Sequence, residues 1–121
     1  MRRDQQTLII MVKRPRTGRV KTRLARDIGD VSATWFYRHT SKAVVSRLSR
    51  ERLWQTILAV APDASVCDPI WPRGVTCVPQ GHGDLGERML RVINRVQFCS
   101  VVLIGTDIPA IRPVHIAAAF R

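Results

Sequence analysis

"TLIIMV", residues 7–12, runs directly into "KRPRTGRVKTR", residues 13–23, which carries six cationic side chains in eleven residues. An apolar run without polar alternation is the pattern of a parallel strand covered on both faces. Thr7 to Val12 therefore reads as a first strand, and the basic stretch becomes the loop at its carboxyl end.

Outward from that strand, Thr22 to Ile28 reads as a short helix closed by Gly29. Ser32 to Ser49 reads as a longer crossover helix with Phe36, Thr40, Ala43, Val44 and Leu48 on one face. Leu53 to Ala61 is the second strand, ended by Pro62, and Val75 to Val78 a short third, with irregular Pro- and Trp-containing chain between them. A helix is expected from about Asp84, with Leu85, Met89, Val92, Ile93 and Val96 at helical spacing and a D-x-x-E capping box from Asp84 to Glu87. Ser100 to Ile104 makes the fourth strand, "GTDIPAIRP" its loop, and a last helix from about Pro113 is expected still to be running at Arg121. Strands alternating with helices predict an α/β three-layer sandwich around a Rossmann-like, mostly parallel sheet of about four strands. With strand order 3-2-1-4, ligands bind beyond the carboxyl ends of strands one and four.

At 121 residues and 45 % hydrophobic content the chain is one domain with a real core, which excludes disorder. Twenty Lys and Arg against nine Asp and Glu give +11 and point to an anionic partner: phosphates, nucleic acid or acidic lipid. Cys67, Cys77 and Cys99 show no C-x-x-C spacing, so they read as buried or incidental thiols. No apolar stretch approaches the roughly 20 residues of a membrane span, and "LIIMV" is too short for a signal-peptide core, so a cytoplasmic protein is expected.

Three loops carry chemistry. The basic loop does not have Walker A spacing, but Gly18 can take positive φ and the helix start at Thr22 favours an anion, with Arg19, Lys21 and Arg23 beside it. It suits a di- or triphosphate; a solvated turn or a nucleic-acid patch are the alternatives. Asp107, past the end of a buried strand and close to Pro109, is sited to hold a divalent cation, or to cap a turn. In "PQGHGDLGERM", Gln80, Gly81 and Gly83 would let backbone approach a flat ligand, while Asp84 reads equally as a helix N-cap and His82 as a solvated loop residue. Trp35, Trp54 and Trp71 read as packing rather than base stacking.

Taken together, "VKRPRTGRVKTRLA", "QGHGDLGERM" and "LIGTDIPAI" resemble a bacterial family of GT-A-fold, glycosyltransferase-like proteins. The family is known as transferase 1, radical-SAM/selenodomain-associated, and is related to the 2-phospho-lactate guanylyltransferases and the molybdenum-cofactor nucleotidyltransferases. The resemblance runs from Leu8 to the last residue. It implies a nucleotide-diphospho-sugar transferase fold that binds a nucleoside triphosphate or nucleotide-sugar with Mg2+ or Mn2+. On it, Lys13, Arg16, Gly18, Lys21 and Arg23 match the loop over the phosphates, Lys21 and Arg23 being the catalytic candidates. Gln80, Gly81, Asp84, Leu85 and Gly86 match the segment near base or sugar, and Asp107 with Pro109 the D-x-P metal segment. Family members continue into a segment resembling "GPADGGYYLIG", so residues 1–121 are expected to be a single, C-terminally truncated nucleotide-binding domain.

The expected function is transfer of a nucleotidyl or glycosyl group to an acceptor that these residues do not identify. One alternative is a non-catalytic nucleotide-binding remnant of the fold. Another is a basic nucleic-acid-binding domain, since Arg38, Lys42, Arg47, Arg50 and Arg52 spread charge along a helix. Strand four, lacking an outer neighbour, is expected to offer an edge for self-association.

Overall fold

β1 spans Gln6–Lys13, one residue longer at each end than its apolar run, and lies in a parallel sheet of order β3-β2-β1-β4. The other strands are β2 (Gln55–Ala61), β3 (Thr76–Pro79) and β4 (Ser100–Ile104). Three helices connect or follow them: α1 (Asp30–Ser49), α2 (Leu85–Asn94) and α3 (Pro113–Ala119). The structure is a computed structural model and describes residues 6–14, 26, 29–96, 100–106 and 110–121. Most of the short helix expected over Thr22 to Ile28 lies outside the described residues, as does Cys99.

The strand order and parallel pairing match those expected. Alternation along β1 turns Leu8, Ile10 and Val12 to one face, where they meet Val44, Val45 and Leu48 of α1 and Ile116 of α3. It turns Ile9 and Met11 to the other, against Val92 of α2 and Val96 in the turn that follows it. Both faces are covered, which is why the run is apolar at every position.

The buried face of α1 keeps Val44 and Leu48 of the expected one and differs at the other positions. Ala33, Tyr37, Ser41, Val44, Val45 and Leu48 face the sheet, whereas Phe36 and Ala43 are exposed. The stripe that packs includes two hydroxyl side chains, and both have partners at the strand ends described below. α3 also departs from expectation. It ends at Ala119; Phe120 donates its N–H to Ile116 O and Arg121 donates to Ala118 O. Trp54 is buried beside Phe120, and Trp71 is half-buried with Nε1 donating to Ser65 O at 2.8 Å; Trp35 is exposed, next to His39.

No crossover helix links β2 to β3. A single 3-10 turn (Asp63–Ser65) and irregular chain do so, tied to the residue after β1 by Arg14 Nε donating to Asp68 Oδ2 at 2.6 Å. Asp68 Oδ1 also accepts the Ile70 N–H at 2.9 Å. That backbone bond, with Arg14, holds the Asp68 carboxyl below its ordinary 3.8. A depressed native pKa adds stability above the unfolded value and loses it as pH falls through the native one. Asp68→Asn should therefore be less stable than the native chain near neutral pH, and the gap should close as pH drops below 3.8. Urea denaturation across that range checks it; a gap independent of pH would contradict it.

Candidate functional site

The ladder between β1 and β4 ends at the pair Ile10 and Ile104, while β1 continues beside β2 to the pair Lys13 and Ala61. Where β4 leaves, a crevice of about 650 Å³ opens at the carboxyl ends of the strands. Its walls are Met11, Val12 and Lys13 of β1, Leu103, Gly105 and Thr106 at the end of β4, and Tyr37 of α1. Gln80, Gly83, Leu85, Arg88 and Met89 close it from the β3–α2 side. The volume suits a small organic ligand. Its apolar lining comes from Met11, Met89 and Leu103, with Leu85 exposed at the rim. The charged residues lining it are Lys13 and Arg88, with no Asp or Glu among the described lining residues, so it is suited to a ligand with an anionic group and an apolar or flat part.

The β3–α2 turn is held by its own bonds. The Gln80 side chain is buried and donates from Nε2 to Val12 O and Ala59 O, at 3.0 and 2.9 Å, so its amide clamps β1 to β2. Gly81 has φ of +80°, donates its N–H to Asp63 Oδ1, and leaves space occupied by the Arg91 guanidinium, into which a Cβ would run. Arg91 in turn donates to Gln80 O at 2.7 Å. Asp84 is the N-cap of α2: its Oδ1 accepts the Glu87 N–H at 2.8 Å, and Glu87 Oε1 accepts the Asp84 N–H, the expected capping box. Arg88 spends Nε on Gly83 O at 2.9 Å, and its guanidinium stands by the helix start, where the dipole also favours an anion.

Of the sequence-predicted residues, Lys13, Gln80 and Leu85 line the crevice, while Gly81, Asp84 and Gly86 shape the turn and helix start beside it. His82 is exposed. Arg16, Gly18, Lys21, Arg23, Asp107 and Pro109 lie outside the described residues. Among the described residues there is no group of three or more His, Cys, Asp or Glu side chains placed to hold a metal ion. Cys67 is exposed; burial, then the neighbouring Cys67, pushes the Cys77 thiol up. Arg38, Lys42, Arg50 and Arg52 are exposed on and after α1, so charge is not confined to the crevice.

Apolar periodicity missed Tyr37, Arg88 and Thr106. Tyr37 Oη accepts the Lys13 N–H at 2.7 Å, and Ser41 Oγ donates to Thr106 Oγ1 at 3.2 Å, both buried on the helix face that the pattern of apolar residues did not select.

Residues 44–121 match the model of a family described as "Uncharacterized protein conserved in bacteria (DUF2064)". No curated protein matches the chain. Among solved structures, the crystal structure of a "putative nucleotide-diphospho-sugar transferase" from Desulfovibrio desulfuricans G20 superposes with a TM-score of 0.86 at 28 % identity. The match covers 99 % of this chain and 54 % of that one, so this chain spans about half the length of the Desulfovibrio protein. The four-stranded parallel sheet is thus that of a nucleotide-diphospho-sugar transferase fold.

Proposed function

Because this chain belongs to the DUF2064 family of bacterial proteins, and because its fold is that of the Desulfovibrio transferase-like structure, we propose that it is a nucleotidyl- or glycosyltransferase-like protein. The crevice would receive a nucleoside triphosphate or nucleotide-sugar. The observation that carries this reading is the opening where β4 leaves β1, lined by Lys13 and Arg88 together with the apolar Met11, Leu103 and Met89. Lys13 and Arg88 would bind phosphate oxygens, and Met11, Leu85 and Met89 would exclude water from the base or sugar.

In nucleotidyl transfer an acceptor oxygen forms a bond to the α-phosphorus and the bond to the bridging oxygen breaks. Pyrophosphate departs with the electron pair, and the acceptor proton passes to solvent. In glycosyl transfer the new bond forms at the anomeric carbon and the nucleoside diphosphate departs. Arg16, Lys21 and Arg23 are proposed to neutralise the departing phosphates in either case. Asp107 is proposed to hold Mg2+ or Mn2+.

Calorimetric titration of the chain with GTP, UTP and UDP-glucose, with and without either cation, tests the proposal. A dissociation constant below about 1 mM for at least one of them is expected, equivalent to roughly 4 kcal/mol; no binding with metal present would sink it. Affinity unchanged by Asp107→Ala would remove the metal role of that residue.

Nucleotide binding without catalysis is the second reading. Pyrophosphate release from a bound triphosphate separates the two. Among the described residues β4 pairs only with β1, and self-association through its outer edge is proposed; sedimentation analysis over a concentration series tests it.

A further inference from the structure

In a parallel ladder successive residues turn their N–H groups toward opposite neighbours. Arg14 donates its N–H to Ala61 O of β2 at 2.8 Å, so Lys13 turns its own toward the side that β4 has left. Without an acceptor there, this donor would carry the desolvation penalty of an unmade bond. Tyr37 Oη accepts it at 2.7 Å, from a side chain only 8 % exposed. One turn along α1, Ser41 donates to Thr106 Oγ1 at 3.2 Å; Thr106 is the second residue beyond the end of β4, and both hydroxyl residues are buried. Tyr37 and Ser41 stand four residues apart and so share one face of the helix. The same helix is seated on the sheet by Val44, Val45 and Leu48.

We propose that Tyr37 and Ser41 are positioning residues: from successive turns of α1 they hold the diverging ends of β1 and β4 and so set the width of the crevice. Bare separation of the two strand ends would leave each free to relax, because no ladder joins them beyond Ile10 and Ile104. The buried hydroxyl bonds replace that ladder with a rigid third element. Ser41 acts through Thr106 and is not among the residues lining the crevice. The inference rests on the proposal that this crevice binds a phosphate-bearing ligand.

The test uses the full chain with Tyr37→Phe, Ser41→Ala, Thr106→Ser, and Val45→Ala as a packing control on the same helix. Two measurements are made: GTP affinity by calorimetry in the presence of Mg2+, and amide hydrogen exchange. Tyr37→Phe and Ser41→Ala should each weaken GTP by about three- to tenfold, the range expected for one lost hydrogen bond. Thr106→Ser keeps the hydroxyl and should stay within about twofold of the native chain, while Val45→Ala should lower the melting temperature without changing the affinity. GTP affinity unaltered in Tyr37→Phe and Ser41→Ala would overturn the inference. Exchange needs no ligand: the Lys13 amide should exchange faster in Tyr37→Phe, with the Arg14 amide unchanged. Equal protection of Lys13 in both proteins would overturn it as well. A native chain that binds no GTP or other nucleotide, together with faster Lys13 exchange in Tyr37→Phe, would remove the functional proposal and leave the positioning role standing.

Discussion

Leu58→Ala is expected to destabilise the chain by about 3 kcal/mol, within the roughly 2–5 kcal/mol seen for buried leucines. Leu58 is fully buried in β2, an inner strand, and stands in register with Ile10 on one side and Cys77 on the other. Its side chain belongs to the cluster that joins the sheet to Val44, Val45 and Leu48 of α1. Truncation there removes transferred apolar surface and leaves a cavity that strands paired on both sides cannot close. Against a total stability of about 5–15 kcal/mol the loss is a large share. Urea denaturation should show a lower midpoint at unchanged slope. Leu53→Ala provides the contrast, since Leu53 is 67 % exposed; its change should stay within about 0.5 kcal/mol. Equal losses in the two variants would contradict the layered packing.

Much of this architecture was legible because burial on both faces leaves a direct trace in composition. "LIIMV" has no polar residue to spend on a solvent face, and β1 lies centrally, covered by α1 on one side and α2 on the other. The start of α2 was equally legible, since Asp84 and Glu87 satisfy each other's backbone within one turn and need no tertiary partner. The face of α1 was not. Tyr37 and Ser41 are buried because their hydroxyls meet Lys13 and Thr106, which are distant in the chain, and apolar spacing carries no record of such pairings. Gln80 shows the same limit from the other side. A polar residue before two glycines suggests a ligand contact, yet its amide is bound to Val12 O and Ala59 O and holds the floor of the crevice together. Arg88 sits within a regular helical pattern and becomes visible as a candidate contact only when the α2 start is placed beside the end of β1. The roles of Arg16, Gly18, Lys21, Arg23 and Asp107 rest on the resemblance and on sequence position.

Reversing the two described cations of the crevice, Lys13→Glu with Arg88→Glu, should weaken nucleotide binding by at least about 100-fold. A hydrogen bond to a charged group contributes about 1.5–3 kcal/mol, so two lost contacts correspond to two decades or more. The carboxylates would then repel phosphate in a partly enclosed site, where screening is weaker than at the open surface. With a formal charge of +11, part of any affinity could come from the field of the whole protein. Arg50→Glu with Arg52→Glu separates the two contributions. It makes the same change in net charge, but at exposed positions between the end of α1 and the start of β2, at the opposite end of the sheet from the crevice. This control should lose only a few-fold, and the loss should vanish at high salt, because exposed charges beyond a Debye length are screened. The crevice variant should stay defective at every ionic strength. Calorimetric titration of both proteins with GTP and Mg2+, at low and high salt, reads the difference, with thermal unfolding confirming that each is folded. Equal losses in the two variants would mean that the chain attracts anions by overall charge, and the crevice would cease to be the binding site.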